Sequence, residues 1–152
     1  MGQVVSLNVN PLGGVPKYSV DKIKIRHEGV EGDKQNDLKY HGGPTRAVCL
    51  FSLERIEQLQ LEGHPISVGS TGENITVKGI DWSILNSGTI ISIGEVLLQL
   101  TDTAPPCKTI IKSFSDGKFS RILEKNYPGW SRWYASVVKE GEVNSNDVVS
   151  LE

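Results

Sequence analysis

Thr89–Thr101 reads TIISIGEVLLQLT, two apolar-rich runs joined at Gly94-Glu95, and the pattern predicts two strands in a tight hairpin. Working outward, Gly2–Asn8 places Val4, Val5 and Leu7 among polar residues and reads as a first strand. Tyr18, Val20, Ile23 and Ile25 follow the turn-forming LGGVPK and read as a second. AVCLFS, Ala47–Ser52, is short, apolar and bounded, the pattern of a buried strand. Ile75–Val77 adds another short strand, and RWYASVVKEGEVNSNDVVSLE, Arg132–Glu152, reads as two strands around a glycine-containing turn. Between them, Leu53, Ile56, Leu59 and Gln60 recur at helical spacing behind Ser52 as N-cap, with Glu54 and Glu57 early and Gly63 at the stop. A helix starting at Cys107 after Pro105-Pro106, and another in SRILEKNYPGW stopped by Pro128 and Gly129, complete the expectation. Many short strands, few short helices and no βαβ alternation predict a mainly β fold, a closed or nearly closed β-barrel with short helical insertions.

The 152 residues suit one domain, 1–152, with 38% apolar and 22% charged side chains, an ordinary globular composition. A formal net charge of −2 argues against a dedicated nucleic-acid binder, which carries a basic excess. Two cysteines, Cys49 and Cys107, are too few for a disulfide-stapled secreted domain and point to a reducing cytoplasm. MGQVVSLNVN lacks the basic and apolar regions of a signal peptide, and no apolar run approaches a membrane span. The expectation is a cytoplasmic protein with neither nucleic acid nor membrane as partner.

Three features carry chemistry. Cys107 follows a strand and a stiff Pro-Pro, at a place where exposed amides favour a thiolate able to ligate a soft metal or carry sulfur as a persulfide. The bland alternative is a small buried residue at a helix start; Cys49, inside an apolar strand, reads as core. The loop Lys34–Arg46 gathers Lys34, Lys39, His41 and Arg46 around Gly42 and Gly43, donors suited to phosphate or carboxylate unless they simply face water. Asp33 and Asp37 stand in the same stretch, able to pair with those cations. Gly72-Glu73-Asn74 sets a carboxylate and an amide at a strand mouth, able to hold a heterocycle's edge or merely to form a turn. Trp130, Trp133 and Tyr134 read as packing, with a stacking platform as the sharper option. His27, His41 and His64 are too far apart in sequence to support a zinc site, and phosphate-loop, dinucleotide and CxxC motifs are missing.

EGVEGDKQNDLKYHGGPTRAVCLFS, GENITVKGID, IGEVLLQLTDTAPPC and EGEVNSNDVVSLE, in that order, resemble the MOSC family, named for the C-terminal domain of molybdenum cofactor sulfurase. The resemblance covers nearly the whole chain and implies a β-barrel that handles molybdenum cofactor (molybdopterin). It implies that Cys107 carries sulfur or ligates molybdenum, that Gly32, Asp33, Asp37, His41, Gly42 and Gly43 belong to the family's polar loop, and that Gly72, Glu73 and Asn74 form its GEN element. Lys39 and Arg46 join Asp33, His41, Gly42, Gly43, Glu73 and Asn74 as expected cofactor contacts. Many relatives carry Pro-Arg-x-Pro-Cys, whereas Ala104 takes the arginine's place here, and Asn146-Asp147 stands where Gly-Asp is usual.

Two functions follow from the resemblance, sulfur carriage or molybdenum ligation by Cys107 and reduction of N-hydroxylated compounds with a partner electron donor; a third reading, of another class, is a non-catalytic module for a small anion or a protein. A cysteine desulfurase or an electron-donor protein is the implied partner, and no pyridoxal phosphate site is assigned in this chain.

Overall fold

The expected hairpin supplies two neighbouring strands of a barrel. In the computed structural model, which describes residues 1–34 and 43–152, β1 is Gly2–Val9, β2 Tyr18–Val20, β3 Lys22–Arg26, β4 Gly29–Val30 and β5 Val48–Ser52. The helix α1, Leu53–Leu61, follows, then β6 Ile75–Lys78, β7 Ile90–Ile93, β8 Val96–Ala104, β9 Arg132–Lys139, β10 Gly141–Asn144 and β11 Val148–Leu151. Strands pair in the order β11-β7-β8-β9-β5-β6-β1, and β1 pairs back to β11, so seven strands close on themselves. Closure removes the edges that an open sheet exposes. β2 hangs from β1, and β10, β3 and β4 form a small second sheet.

Alternation fills the barrel. Val96, Leu98 and Leu100 on β8 and Ile91 and Ile93 on β7 are fully buried, each at every second position. β5 is buried at all five positions, which is why AVCLFS shows a continuous apolar run rather than an alternating one. The expected helix is present: Ser52 Oγ accepts the Arg55 backbone N–H at 3.2 Å, and Ile56 and Leu59 face the core. Ser52→Ala is expected to cost about 1 kcal/mol, measurable by urea unfolding, and an unchanged midpoint would contradict the cap.

Four expectations are corrected. β5–α1–β6 is a parallel crossover, so one βαβ unit exists where none was expected. The stretch Tyr18–Ile25 divides into β2 and β3, which belong to different sheets. The C-terminal stretch divides into three strands, not two, because β10 leaves the barrel to pair with β3. Cys107 and Ser120–Trp130 start no α-helix: Lys108–Ser113 is a 3₁₀ run kinked at Ile110 (φ −107°), and Phe119–Ile122 is one short 3₁₀ segment, each too short to propagate as an α-helix. Asn146 sits at φ 71°, the left-handed region that the more usual glycine would occupy without strain and that asparagine tolerates better than most residues.

A β-bulge sets the geometry used below. Leu100 pairs with Ala135, but Thr103 pairs with Trp133, so β8 gains one residue over β9 and Ala104 comes to lie opposite Arg132.

Candidate functional site

At one end of the barrel is a cavity of about 190 Å³, bounded by the turn Gly14–Lys17, Lys34, Arg46, the turn Thr71–Asn74, the segment Pro105–Ile110, and side chains of β5 and β9. Strand geometry explains part of that wall. Arg132 and Tyr134 are two apart on β9 and so share a face, and Cys49 of β5 is the register partner of Tyr134. Cys107 lies three residues beyond the end of β8 and immediately before the 3₁₀ run Lys108–Ser113, where the chain leaves the sheet.

Charge in the cavity departs from the chain average. Among the described residues, Lys17, Lys34, Arg46 and Arg132 line it and no carboxylate does, although the whole chain carries −2. Concentrated cations in a concave wall attract an anionic ligand. The Arg46 guanidinium lies 5.8 Å from the Tyr134 ring centroid. Burial holds the Tyr134 phenol protonated well above its usual range.

Of the residues singled out from sequence, Lys34, Arg46, Gly72, Asn74, Cys107 and Tyr134 meet at the cavity. Gly43 is described, at φ 78°, outside the lining. Asp37, Lys39, His41 and Gly42 lie outside the described residues. Asp33 stands behind the wall: its side chain is 1% exposed and accepts Lys17 Nζ at 2.6 Å, the Asn10 N–H at 2.8 Å and Asn74 Nδ2 at 2.9 Å. Asn74 also donates to the Asn8 carbonyl and accepts the Cys49 N–H, so it ties three segments together. Glu73 is fully buried and away from the lining. Its carboxylate accepts the Gly69 N–H at 3.1 Å and the hydroxyls of Thr71 and Thr76 at 2.8 and 3.2 Å. Burial raises its pKa, outweighing those hydrogen bonds and the Arg132 charge, which favour the ionised form. Gly69 is held at φ 80°, where an added Cβ would run into the Lys17 carbonyl.

Two lining cations escaped the sequence reading. Lys17 sits in a glycine-proline turn and Arg132 at the start of a strand, and neither belongs to a motif. Arg132 is 5% exposed; its NH1 donates to the Thr71 carbonyl at 2.6 Å, and NH2 faces the Ala104 and Pro105 carbonyls at 3.5 and 3.4 Å. Trp130 stacks between the guanidinium groups of Arg55 and Arg121, at 4.3 and 4.2 Å, rather than forming a platform at the cavity, whereas Tyr134 does line it.

The two thiols differ sharply. Cys107 is exposed and its Sγ lies 2.9 Å from Thr109 Oγ1. Cys49, read as core, is buried, and burial pushes its thiol up to about 11. A thiol so raised stays protonated, and hence unreactive, until pH approaches that value. Iodoacetamide at pH 8 is expected to add one label to the folded protein, at Cys107, and a second only after denaturation. Equal labelling of both in the folded state would contradict the assigned burial. Elsewhere, His27 Nδ1 lies 3.0 Å from the Val137 carbonyl and His64 Nδ1 accepts the Ser115 N–H. Among the described residues no group of three or more His, Cys, Asp or Glu side chains gathers to hold a metal. No helix among them is long and apolar enough to cross a membrane.

A closed β-barrel with an exposed thiol beside a cationic cavity is the class of fold and site seen here, and sequence comparison gives its family. The MOSC domain profile matches residues 37–150, and the chain belongs to the MOSC family, which is associated with the molybdenum cofactor. The chain is 31% identical over 123 residues to the uncharacterized protein YflK of Bacillus subtilis, covering 80% of this chain and 55% of that one. It is 29% identical over 146 residues to the protein YiiM of Escherichia coli, covering 90% and 62%. The chain therefore spans little more than half the length of these relatives. The crystal structure of the YUAD protein from Bacillus subtilis shares the fold, with a TM-score of 0.78 at 19% identity, covering 98% of this chain and 94% of that one.

The cavity's donor set fits the group that the family implies. Cations suit a phosphate, the Asn74 region offers polar groups for a heterocycle, and a thiol suits a soft metal. The buried Arg132 charge, which has no carboxylate partner among the described residues, is the observation that favours an anionic occupant.

Proposed function

We propose that the protein binds molybdenum cofactor, or a related sulfur-bearing anionic ligand, in this cavity, with Cys107 as the side chain that meets its reactive end. The observation that carries the reading is the meeting, among the described residues, of an exposed thiol with four cations and no carboxylate around one concave space. When bound, the cofactor would supply a redox-active metal. The chain's own residues bind and orient it: Lys34 and Arg46 attract the anionic end, and Cys107 Sγ offers the soft ligand. Asp33 and Asn74 hold Lys17 and β5 in place.

The exposure of Cys107 favours a second reading, sulfur carriage. The Cys107 thiolate would attack the outer sulfur of a persulfide on a donor protein such as a cysteine desulfurase. A new S–S bond forms at Cys107 while the donor's cysteine leaves as thiolate, so no external oxidant is needed. Reduction of N-hydroxylated compounds would require a separate electron donor. A purely non-catalytic binding module would leave Cys107 without a role.

The protein purified from a molybdenum-replete host is expected to retain molybdenum, measured by elemental analysis, and Cys107→Ser to lose most of it. Incubation with a desulfurase and cysteine, followed by intact mass measurement, tests carriage: one added sulfur in wild type and none in Cys107→Ser. A wild-type protein that neither retains molybdenum nor accepts sulfur would sink both readings and leave the binding module.

A further inference from the structure

Among the described residues, Arg132 is the least explained charge. It is 5% exposed, and its hydrogen bonds within the described residues go only to the Thr71, Ala104 and Pro105 carbonyls, with no partner for Nε. Among the described residues no carboxylate forms an ion pair with it; Glu73, which feels its charge, gives its oxygens to Gly69, Thr71 and Thr76. A buried charge without a counter-ion is costly unless something else neutralises it.

The register explains how the side chain fits. The bulge between Leu100 and Thr103 sets Ala104 directly opposite Arg132, and directly paired residues project to the same face of a sheet. Ala104 is fully buried, and its single methyl leaves room for the long side chain across the ladder. The guanidinium is thereby held against the backbone of Ala104-Pro105, two residues before Cys107, on the wall of the same cavity. A cation that β8 does not supply at 104 is supplied by β9 at 132.

We propose that Arg132 is the binding residue for an oxyanion seated beside Cys107, and that Ala104 is the small partner that lets it reach there. This inference rests on the cavity being the ligand site. The ligand's negative charge completes the guanidinium's neutralisation, which its three carbonyl partners cannot do. The oxyanion is a phosphate ester or a metal oxyanion, and the two are separable by probe.

The test is calorimetric titration of the full chain with inorganic phosphate and, separately, with molybdate. Wild type is expected to bind at least one of them, the preferred probe showing which source the site favours. Arg132→Ala should weaken that binding by about 10- to 100-fold, the range for loss of a charge-assisted hydrogen bond. Arg132→Lys keeps the charge without the planar fork and should fall between. The double variant Arg132→Ala with Ala104→Arg should regain affinity over Arg132→Ala alone, a recovery that a purely structural role would not give. Should Arg132→Ala fail to fold, Arg132→Lys decides: affinity equal to wild type would overturn the assignment. Binding that is unchanged in folded Arg132→Ala would overturn it too, while leaving the cavity as ligand site. Failure of wild type to bind either anion would count against both.

Discussion

Asp33→Ala is expected to lower the unfolding free energy by about 3–5 kcal/mol, the range for removing one partner of a buried ion pair. The side chains of Lys17 and Asp33 are 10% and 1% exposed, and the carboxylate is shared with the Asn10 N–H and the Asn74 amide. Its removal strands an ammonium group in the cavity wall and frees the turn that carries it. Chemical unfolding monitored by tryptophan fluorescence measures the effect, and a loss below about 1 kcal/mol, the range of a surface pair, would contradict the assigned burial. The substitution is also expected to weaken ligand binding more than Lys17→Ala does, because it additionally loosens Asn74.

Glu73→Ala is expected to cost about 3 kcal/mol, since each buried donor left unsatisfied costs about 1–3 kcal/mol and the Gly69 N–H cannot turn elsewhere as the two threonine hydroxyls can. The pH dependence has a definite sign. Burial raises the folded-state pKa of Glu73 above its unfolded value of 4.5, so its stabilising contribution is full below that value and declines as pH rises through the folded pKa. The advantage of wild type over Glu73→Gln should therefore be larger at pH 4.5 than at pH 7 in urea unfolding. An advantage that grows with pH would show that the carboxylate is stabilised as the anion, contrary to this account.

Local structure was legible in the sequence, and spatial partnership was not. The hairpin at Gly94-Glu95, the Ser52-capped helix and the apolar β5 all follow from patterns within a dozen residues. Barrel closure depends on Gly2–Gln3 meeting Val148–Val149 across the whole chain, which no local pattern encodes. The same limit applies at the site. Cys107 stood out because two prolines precede it and it follows a strand, and Asn74 because it sits in a recognisable element. Glu73 was legible as important but not in its role: the sequence suggests a ligand contact, whereas its carboxylate turns inward to hold the Gly69–Thr71 turn. Arg132 gave no signal, because the significance of an arginine opening a strand depends on a bulge in the neighbouring one. Ala104 looked like the loss of a charge; its register partner shows where a charge enters instead.

The turn that Glu73 holds connects fold and site. Thr71 gives its hydroxyl to Glu73 and its carbonyl to Arg132, so a buried carboxylate outside the cavity fixes a guanidinium within its wall. Binding groups fixed in this way lose little freedom when a ligand arrives, which favours affinity.

The most direct measurement is a diffraction experiment at the molybdenum absorption edge on crystals of protein purified from molybdenum-replete cells. The account predicts an anomalous peak inside the cavity, within bonding distance of Cys107 Sγ and on the side that Arg132 faces. A peak elsewhere on the molecule, or an empty cavity in protein that elemental analysis shows to contain molybdenum, would contradict it.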